Sequence, residues 1–311
     1  MTTTGIDPDL FVKEGAFTTQ THRDIYPAID PTRPELSQAG KVVVITGGSR
    51  GLGRLAFAAS FARANAAAII LLGRSATDLA VTEKLVKECN PATQVLSITV
   101  DVLDEAGVKN ALQEIVTRFG VPHVLINNAG TLAPLKGIMD SDLDSWWKTQ
   151  ETNVKGVFVA TKAFLEKTGS NPSAPTTIIS LVSLASLGTP DGMSSYSMSK
   201  LAVTKFTAYL NAEYPAITSV SLDPGIVPTD MGCSVSFLAP FMRDTPELCG
   251  GASVWLSSGD KKFLSGKYVS ANWDVDELEK RKTEILDGNL LTPFLKGDFG
   301  GPNVVVDGPT K

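Results

Sequence analysis

Histidine is almost missing from this chain of 311 residues, in which His22 and His123 are the only two. A multi-histidine metal site is excluded on that count, and no metal is expected. Cysteine is nearly as scarce. Cys89, Cys233 and Cys249 form an odd set with no CxxC or zinc spacing, which points to unpaired thiols in a reducing compartment. Positive charge is not in excess either: 28 Lys and Arg stand against 33 Asp and Glu, a net charge of −5. Binding driven by counterion release is disfavoured, so no nucleic-acid partner is expected. Long apolar runs are lacking, and the most apolar stretch, Leu55 to Leu72, is interrupted by Arg63 and Asn65. A span needs about eighteen apolar residues, so no membrane association is expected. The first residues carry no apolar signal core, and Gly308 to Lys311 are not a targeting tripeptide. A cytoplasmic location is the corresponding expectation.

What is present is the composition of a globular domain, 43% hydrophobic and 20% charged with 27 glycines. Residues 1–40 contain Pro8, Pro27, Pro31 and Pro34 and no lasting apolar periodicity. They read as an extension, either disordered or laid as an arm over a neighbour. From Lys41 short apolar runs alternate with longer helical stretches. Strands are expected at 41–46, 68–72, 95–100, 123–126, 176–179 and 217–222, and around Tyr268. Helices are expected up to Ala66 and near 76–89, 103–119, 141–168, 194–213 and 246–257. Continuous runs such as Val42-Val43-Val44-Ile45 suit strands buried on both faces. The expected fold is therefore α/β over 41–274, a doubly wound parallel sheet of about seven strands with helices on both faces. Residues 275–311 read as a tail, with a charged helix from Val275 to Leu286 and then Gly- and Pro-rich chain.

The turn after the first strand, Thr46-Gly-Gly-Ser-Arg-Gly-Leu-Gly53, carries chemistry. Glycines permit positive φ and let a phosphate approach the backbone. The helix N-terminus that follows offers free N–H groups and a positive dipole end, so a pyrophosphate is the natural ligand. Two rivals fail here. Gly47-Gly-Ser49-Arg-Gly51 fits a GxSxG nucleophile elbow, but the only later histidine, His123, opens a strand. A Walker A loop needs Lys-Ser or Lys-Thr after its last glycine, and Leu52 to Leu55 supplies neither.

Further motifs follow in order: Asp101 after the third strand, Asn127-Asn128-Ala129-Gly130 after the fourth, and Asn153-Val-Lys-Gly156 in the long central helix. Then come Tyr196-Ser-Met-Ser-Lys200 and Pro224-Gly225-Ile-Val227-Pro-Thr229-Asp-Met231. With the TGxxxGxG turn, this series resembles the short-chain dehydrogenase/reductase family over roughly Lys41 to Asp274. The resemblance implies a Rossmann fold and a nicotinamide cofactor. Gly47, Ser49, Gly51, Leu52 and Gly53 would hold its diphosphate side, Arg50 is a further cofactor contact, and Asp101 with Val102 would lie near the adenine. Asn128, Ala129, Gly130, Pro224, Gly225, Val227, Thr229 and Met231 would be further cofactor contacts, with Tyr196 and Lys200. Lys200 would also hold the nicotinamide ribose.

The end of the second strand reads Leu72-Gly73-Arg74-Ser75, with no acid to hold a ribose 2′-hydroxyl. Arg74 beside Ser75, with Arg50, would instead face a 2′-phosphate, so the expected cofactor is NADP(H). Tyr196 and Lys200 lie one turn apart on one helix face. A nearby ammonium and the bound cofactor ring are expected to lower the phenol from its usual pKa of about 10, and Tyr196 would exchange a proton with the substrate oxygen. By resemblance Ser183 would polarise the carbonyl, with Ser180 and Ser186 as rivals. Asn153 would bend its helix and bind a water linking Lys200 to bulk solvent.

The loop after Met231 holds Val235, Phe237, Leu238, Phe241 and Met242, and Leu132, Leu135, Leu187 and Met193 are further wall positions. An apolar, aromatic or polycyclic small-molecule carbonyl is the expected substrate, with Phe294 or Phe299 of the tail as extra wall or subunit contact. Family members pair through helices like those at 141–168 and 194–213, so a homodimer or homotetramer is implied. Trp146, Trp147, Phe158 and Phe164 would serve that interface or the core. The long N-terminus and the stretch around Trp273 resemble fungal members linked to secondary metabolism. The expected function is reduction of a carbonyl with NADPH, reversibly an alcohol dehydrogenase. A non-redox isomerase, dehydratase or cyclase, or a non-catalytic NADP(H) sensor, are the alternatives on this scaffold.

Overall fold

Seven strands run through the middle of the chain: β1 (Val42–Thr46), β2 (Ala68–Gly73), β3 (Gln94–Thr99), β4 (Val124–Asn127), β5 (Thr177–Leu181), β6 (Thr218–Asp223) and β7 (Lys267–Ser270). In the computed structural model, which describes residues 6–295, they form one sheet in the order β3-β2-β1-β4-β5-β6-β7. All pairings are parallel, with Ile45 in register with Leu71 on one side and Ile126 on the other. Parallel neighbours need crossovers, and helices supply them.

The helices are α1 (Leu10–Glu14), α2 (Ala59–Arg63), α3 (Ala76–Cys89), α4 (Glu105–Phe119), α5 (Leu143–Gln150), α6 (Gly156–Thr168), α7 (Ser194–Glu213), α8 (Asp230–Cys233), α9 (Pro246–Leu256), α10 (Val275–Lys280) and α11 (Lys282–Asp287). A π-helical stretch, Gly53–Ala58, leads into α2, and another, Glu151–Lys155, joins α5 to α6. Side chains alternate across each strand. Val43 and Ile45 therefore face one core with Phe57, Phe61 and Leu248, while Val42 and Val44 face a second with Val108, Leu112 and Phe164. Helices on both faces account for the uninterrupted apolar strands. Only β3, at the sheet edge, is half-exposed along its length. The doubly wound sheet expected from the sequence is the sheet observed.

The flanking segments are not appendages. Within residues 6–40, Ile29 and Leu36 are buried in the same core as β1 and α9. Burying a residue such as Ile29 contributes about 1.5–3 kcal/mol, enough to hold a segment with little structure of its own. Thr21 makes an antiparallel bridge to Trp273. The His22 N–H donates to Asn272 O at 2.8 Å, and Asn272 Nδ2 returns to His22 O at 2.8 Å. The expected single helix from Val275 to Leu286 is two short ones, α10 and α11. Val275, Leu278 and Ile285 enter the core from them, so this stretch is part of the body. Phe294 is exposed, away from any wall role, and Phe299 lies outside the described residues.

Strand order reverses between β1 and β4. Such a reversal opens a crevice at the C-terminal strand ends, where ligands of open α/β sheets bind. The turns after β1, β2, β4, β5 and β6 all open there.

Candidate active site

Thr46, the last residue of β1, ties two of these turns together. Its Oγ1 accepts the N–H groups of Asn128 and Ala129 at 3.0 and 3.1 Å. Asn128 Nδ2 returns to the carbonyls of Thr46 and Gly47 at 2.9 and 3.0 Å. The glycines between are steric necessities. Gly47 has φ of +65°, and a Cβ on it would stand 2.9 Å from the Ala129 Cα. A Cβ on Gly53 would stand 2.1 Å from the Gly47 carbonyl oxygen. No side chain fits at either position.

Arg54 braces the same turn. It donates to the Ser49 and Asp78 carbonyls and to Thr82 Oγ1, clamping the glycine loop to α3. The sequence reading passed over Arg54, whose place just after the last glycine is its only mark. Ser75 caps α3, accepting from the Asp78 N–H at 3.2 Å. Arg74 and Arg50 stand at the open edge of the crevice, 73% and 69% exposed at the side chain. Each leans on one acid: Arg74 on Asp101 at 4.0 Å, Arg50 on Asp230 at 3.5 Å. Exposed pairs this long hold little energy, so both guanidiniums are available to an anion. Val102 is buried, and a Cβ on Gly156 would approach its Cγ2 to 2.7 Å, which accounts for that glycine.

α7 carries Tyr196 and Lys200 toward the crevice. Lys200 is buried, and its Nζ donates to the Leu181 carbonyl at 2.8 Å and lies 5.6 Å from the Tyr196 ring centroid. Burial pulls its ammonium down to about 8. Asn153 sits on the π-turn Glu151–Lys155, a local widening that breaks the expected continuous helix over 141–168. Its Oδ1 accepts the Thr131 N–H at 2.8 Å, and its Nδ2 donates to Thr131 O and Ser199 Oγ, both at 2.9 Å. Gly130 lies between the two: a Cβ there would be 3.3 Å from Asn153 Oδ1 and 3.6 Å from Lys200 Nζ.

Ser183 ends the turn after β5. Its Oγ accepts the Ala185 N–H at 3.2 Å and stands close enough to the Tyr196 phenol to draw its pKa down. The rival serines are elsewhere. Ser180 Oγ, inside the sheet, accepts from Asn127 Nδ2, and Ser186 is buried away from the crevice. The Tyr196 phenol is pushed up, to about 12, first by burial and then by the Asp223 carboxylate, against the pull of Ser183. Lys200 is not among the causes; its ammonium is turned to a carbonyl.

Ser183 and Tyr196 open into a cavity of about 510 Å³ with mostly apolar walls. Leu52, Leu132, Leu187, Met193, Val235, Phe237 and Leu238 line it, as do Pro224, Gly225, Val227, Thr229 and Met231. Leu135, Phe241 and Met242 are not among the lining residues, although Phe241 packs against one of them, Phe11. Residues that the sequence reading missed complete the wall: Phe11 and Val12 of α1, Trp273, and the acid Asp223 with Tyr268. Asp223 ends β6 and accepts from Tyr268 Oη at 2.8 Å, and no cation among the described residues contributes to its titration. Burial pushes its carboxyl up to about 6. Its one sequence signal is an acid closing an apolar strand directly before Pro224-Gly225.

Residues 41–236 match the family model described as short chain dehydrogenase. The short chain dehydrogenase mpl6 of Monascus purpureus is 37% identical over 281 residues, covering 88% of this chain and 94% of that one. The short chain dehydrogenase andI of Emericella variicolor is 31% identical, with the same coverage of both chains. Among solved structures, levodione reductase superposes with a TM-score of 0.69 at 23% identity, covering 75% of this chain and 96% of its own. A Shigella flexneri protein solved with NADP superposes with a TM-score of 0.71 at 24% identity, covering 77% of this chain and 99% of its own.

Proposed function

Because this chain belongs to the short-chain dehydrogenase family, we propose that it is an NADPH-dependent reductase of a carbonyl on an apolar, aromatic or polycyclic small molecule. The observation that carries this reading is that Ser183 and Tyr196 open together into one apolar cavity, with Lys200 and Asn153 directly behind them. The fungal relatives support a role in secondary metabolism.

The residues present fit a dinucleotide. Gly47 and Gly53 have no room for a side chain and Gly51 has a φ of +53° that disfavours one, a cradle suited to offering backbone N–H groups to a diphosphate. Ser49, Leu52, Asp101, Val102 and the Asn128–Gly130 turn border it, as does the 224–231 segment. Arg50 and Arg74, with no acid at the end of β2, suit a 2′-phosphate, which would compete with Asp230 and Asp101 for the two guanidiniums. When bound, NADPH supplies the hydride.

The chain's own groups handle the proton. A phenol pushed up to about 12 keeps its proton at neutral pH, which suits a donor to the developing alkoxide. The Ser183 hydroxyl, beside that phenol, directs the carbonyl oxygen toward it. Lys200, its ammonium held near a pKa of about 8, is poised to reload the phenol, with Asn153 ordering the path at Gly130. The same reading places the protein in the cytoplasm, where Cys89, Cys233 and Cys249 stay free thiols. It also places a second copy against α5–α7. Phe164 is core and Trp146 donates to Ser194, but Trp147, Phe158, Met198 and Tyr209 are exposed apolar surface on those helices.

The test is NADPH consumption, followed by its near-ultraviolet absorbance, with a panel of aromatic ketones, quinones and aliphatic ketones. Tyr196→Phe is expected to lose about 10²–10⁴-fold in rate while binding NADPH nearly as before. Normal turnover by that variant sinks the assignment. Product formed without NADPH consumption would point to a non-redox reaction instead.

A further inference from the structure

We propose that α1 is the specificity wall of the substrate cavity, with the Phe11 ring setting how large an aromatic carbonyl compound the site admits. The substrate class rests on the reading above; the wall itself rests on geometry alone.

A helix of five residues has no stability of its own in water. α1 is held from outside at both ends. At its start Arg23 donates to the Pro8 carbonyl at 2.8 Å and to Asp9 Oδ1 at 2.9 Å. At its end Trp273 Nε1 donates to the Gly15 carbonyl at 2.8 Å. Both anchors reach back to the site. Arg23 also pairs with Asp244, just after the loop that carries Phe237 and Leu238. Trp273 itself lines the cavity.

So fixed, α1 presents Phe11 and Val12 to the cavity and leaves Leu10 on the outside. The Phe11 ring meets Phe241 edge-on, with centroids 4.6 Å apart at 64°. A ring locked edge-on against a buried neighbour cannot swing away from a ligand without losing that contact. The end of α1 rests on Leu184, the residue after Ser183: a Cβ on Gly15 would meet the Leu184 methyl groups at 3.3 and 3.4 Å. The wall therefore touches the chain segment that carries the polarising serine. An arm serving only to stiffen the fold would bury its ring wholly in protein; this one borders open space. The family model begins at residue 41, so α1 lies outside the stretch that it matches.

The test uses the full chain loaded with NADP⁺ or NADPH and a graded set of aryl ketones with one, two and three fused rings. Equilibrium binding is read by quenching of tryptophan fluorescence, since Trp273 lines the cavity, and turnover by NADPH consumption. Phe11→Ala is expected to shift the large-to-small affinity ratio toward the larger rings by on the order of tenfold. Phe11→Trp is expected to shift it the other way, and Leu10→Ala, on the outer face of the same helix, to leave it unchanged. Equal ratios in all four proteins overturn the wall, and so does a shift in Leu10→Ala as large as in Phe11→Ala. Absence of quenching by every ketone overturns it as well. If ratios move but no ketone consumes NADPH, the wall stands and the reductase reading falls. If NADPH is consumed with unaltered ratios, the reverse holds.

Discussion

Arg23 and Asp244 meet 3.0 Å apart, and the Asp244 side chain is wholly buried. One residue belongs to the N-terminal segment and the other closes the loop over the cavity. Asp244 also accepts from the Ile226 N–H at 2.5 Å and from Asn272 Nδ2 at 2.8 Å. Burial still pushes its carboxyl up, against these bonds and the guanidinium.

Removing the cation should leave that acid stranded. Arg23→Met keeps much of the side-chain volume and deletes the charge. Breaking a fully buried pair costs about 3–5 kcal/mol; with Arg23 partly exposed and two other donors left, about 2 kcal/mol is expected. The urea midpoint of unfolding checks this. An unchanged midpoint would mean that Asp244 is carried by Asn272 and Ile226 alone.

Asp223 should make stability depend on pH. Its folded pKa, about 6, lies above the ordinary 3.8. Between those values the folded protein holds a proton that the unfolded chain has released, so stability falls as pH rises through that window. At about 1.4 kcal/mol per unit the loss is on the order of 2–3 kcal/mol. Asp223→Asn is expected to flatten this part of the profile and to raise the unfolding midpoint above pH 6 relative to the parent. Parallel profiles for the two proteins would show that Asp223 is ionised throughout.

Arg50 and Arg74 should decide between the two nicotinamide cofactors. Alanine at either position is expected to weaken NADPH binding roughly tenfold, the scale of one lost charge-assisted hydrogen bond, and to leave NADH binding nearly unchanged. Because both guanidiniums are exposed, the difference should shrink as salt is added. Fluorescence titration of each cofactor at two ionic strengths reads this. Equal losses for both cofactors would confine the arginines to the shared diphosphate.

Most of the sheet was legible because its signals are local. Runs of apolar residues mark each strand, and α3 and α7 begin and end where the periodicity does. The motif residues were legible for the same reason, since the glycine turn and the Tyr196–Lys200 spacing are contiguous in the chain. The docking of residues 6–40 was not. Its contacts, such as Thr19 to Glu277 and Tyr26 to Val275, join positions about 250 residues apart, and no local pattern announces them. The influence of Asp223 on Tyr196 was not legible either, because β6 brings that carboxylate in from a separate part of the chain. Asp223 itself reads as an ordinary strand end until Tyr268 and the cavity stand beside it.

The bridge between Thr21 and Trp273 fixes an order of events during synthesis. The segment around Gly15 to His22 is made long before its seat, because Asn272, Trp273 and Asp274 must follow before it can dock. Until then Ile29 and Leu36 lack the later partners of their core, Leu248 and Trp273 among them, and transiently open apolar surface of that kind is prone to aggregation.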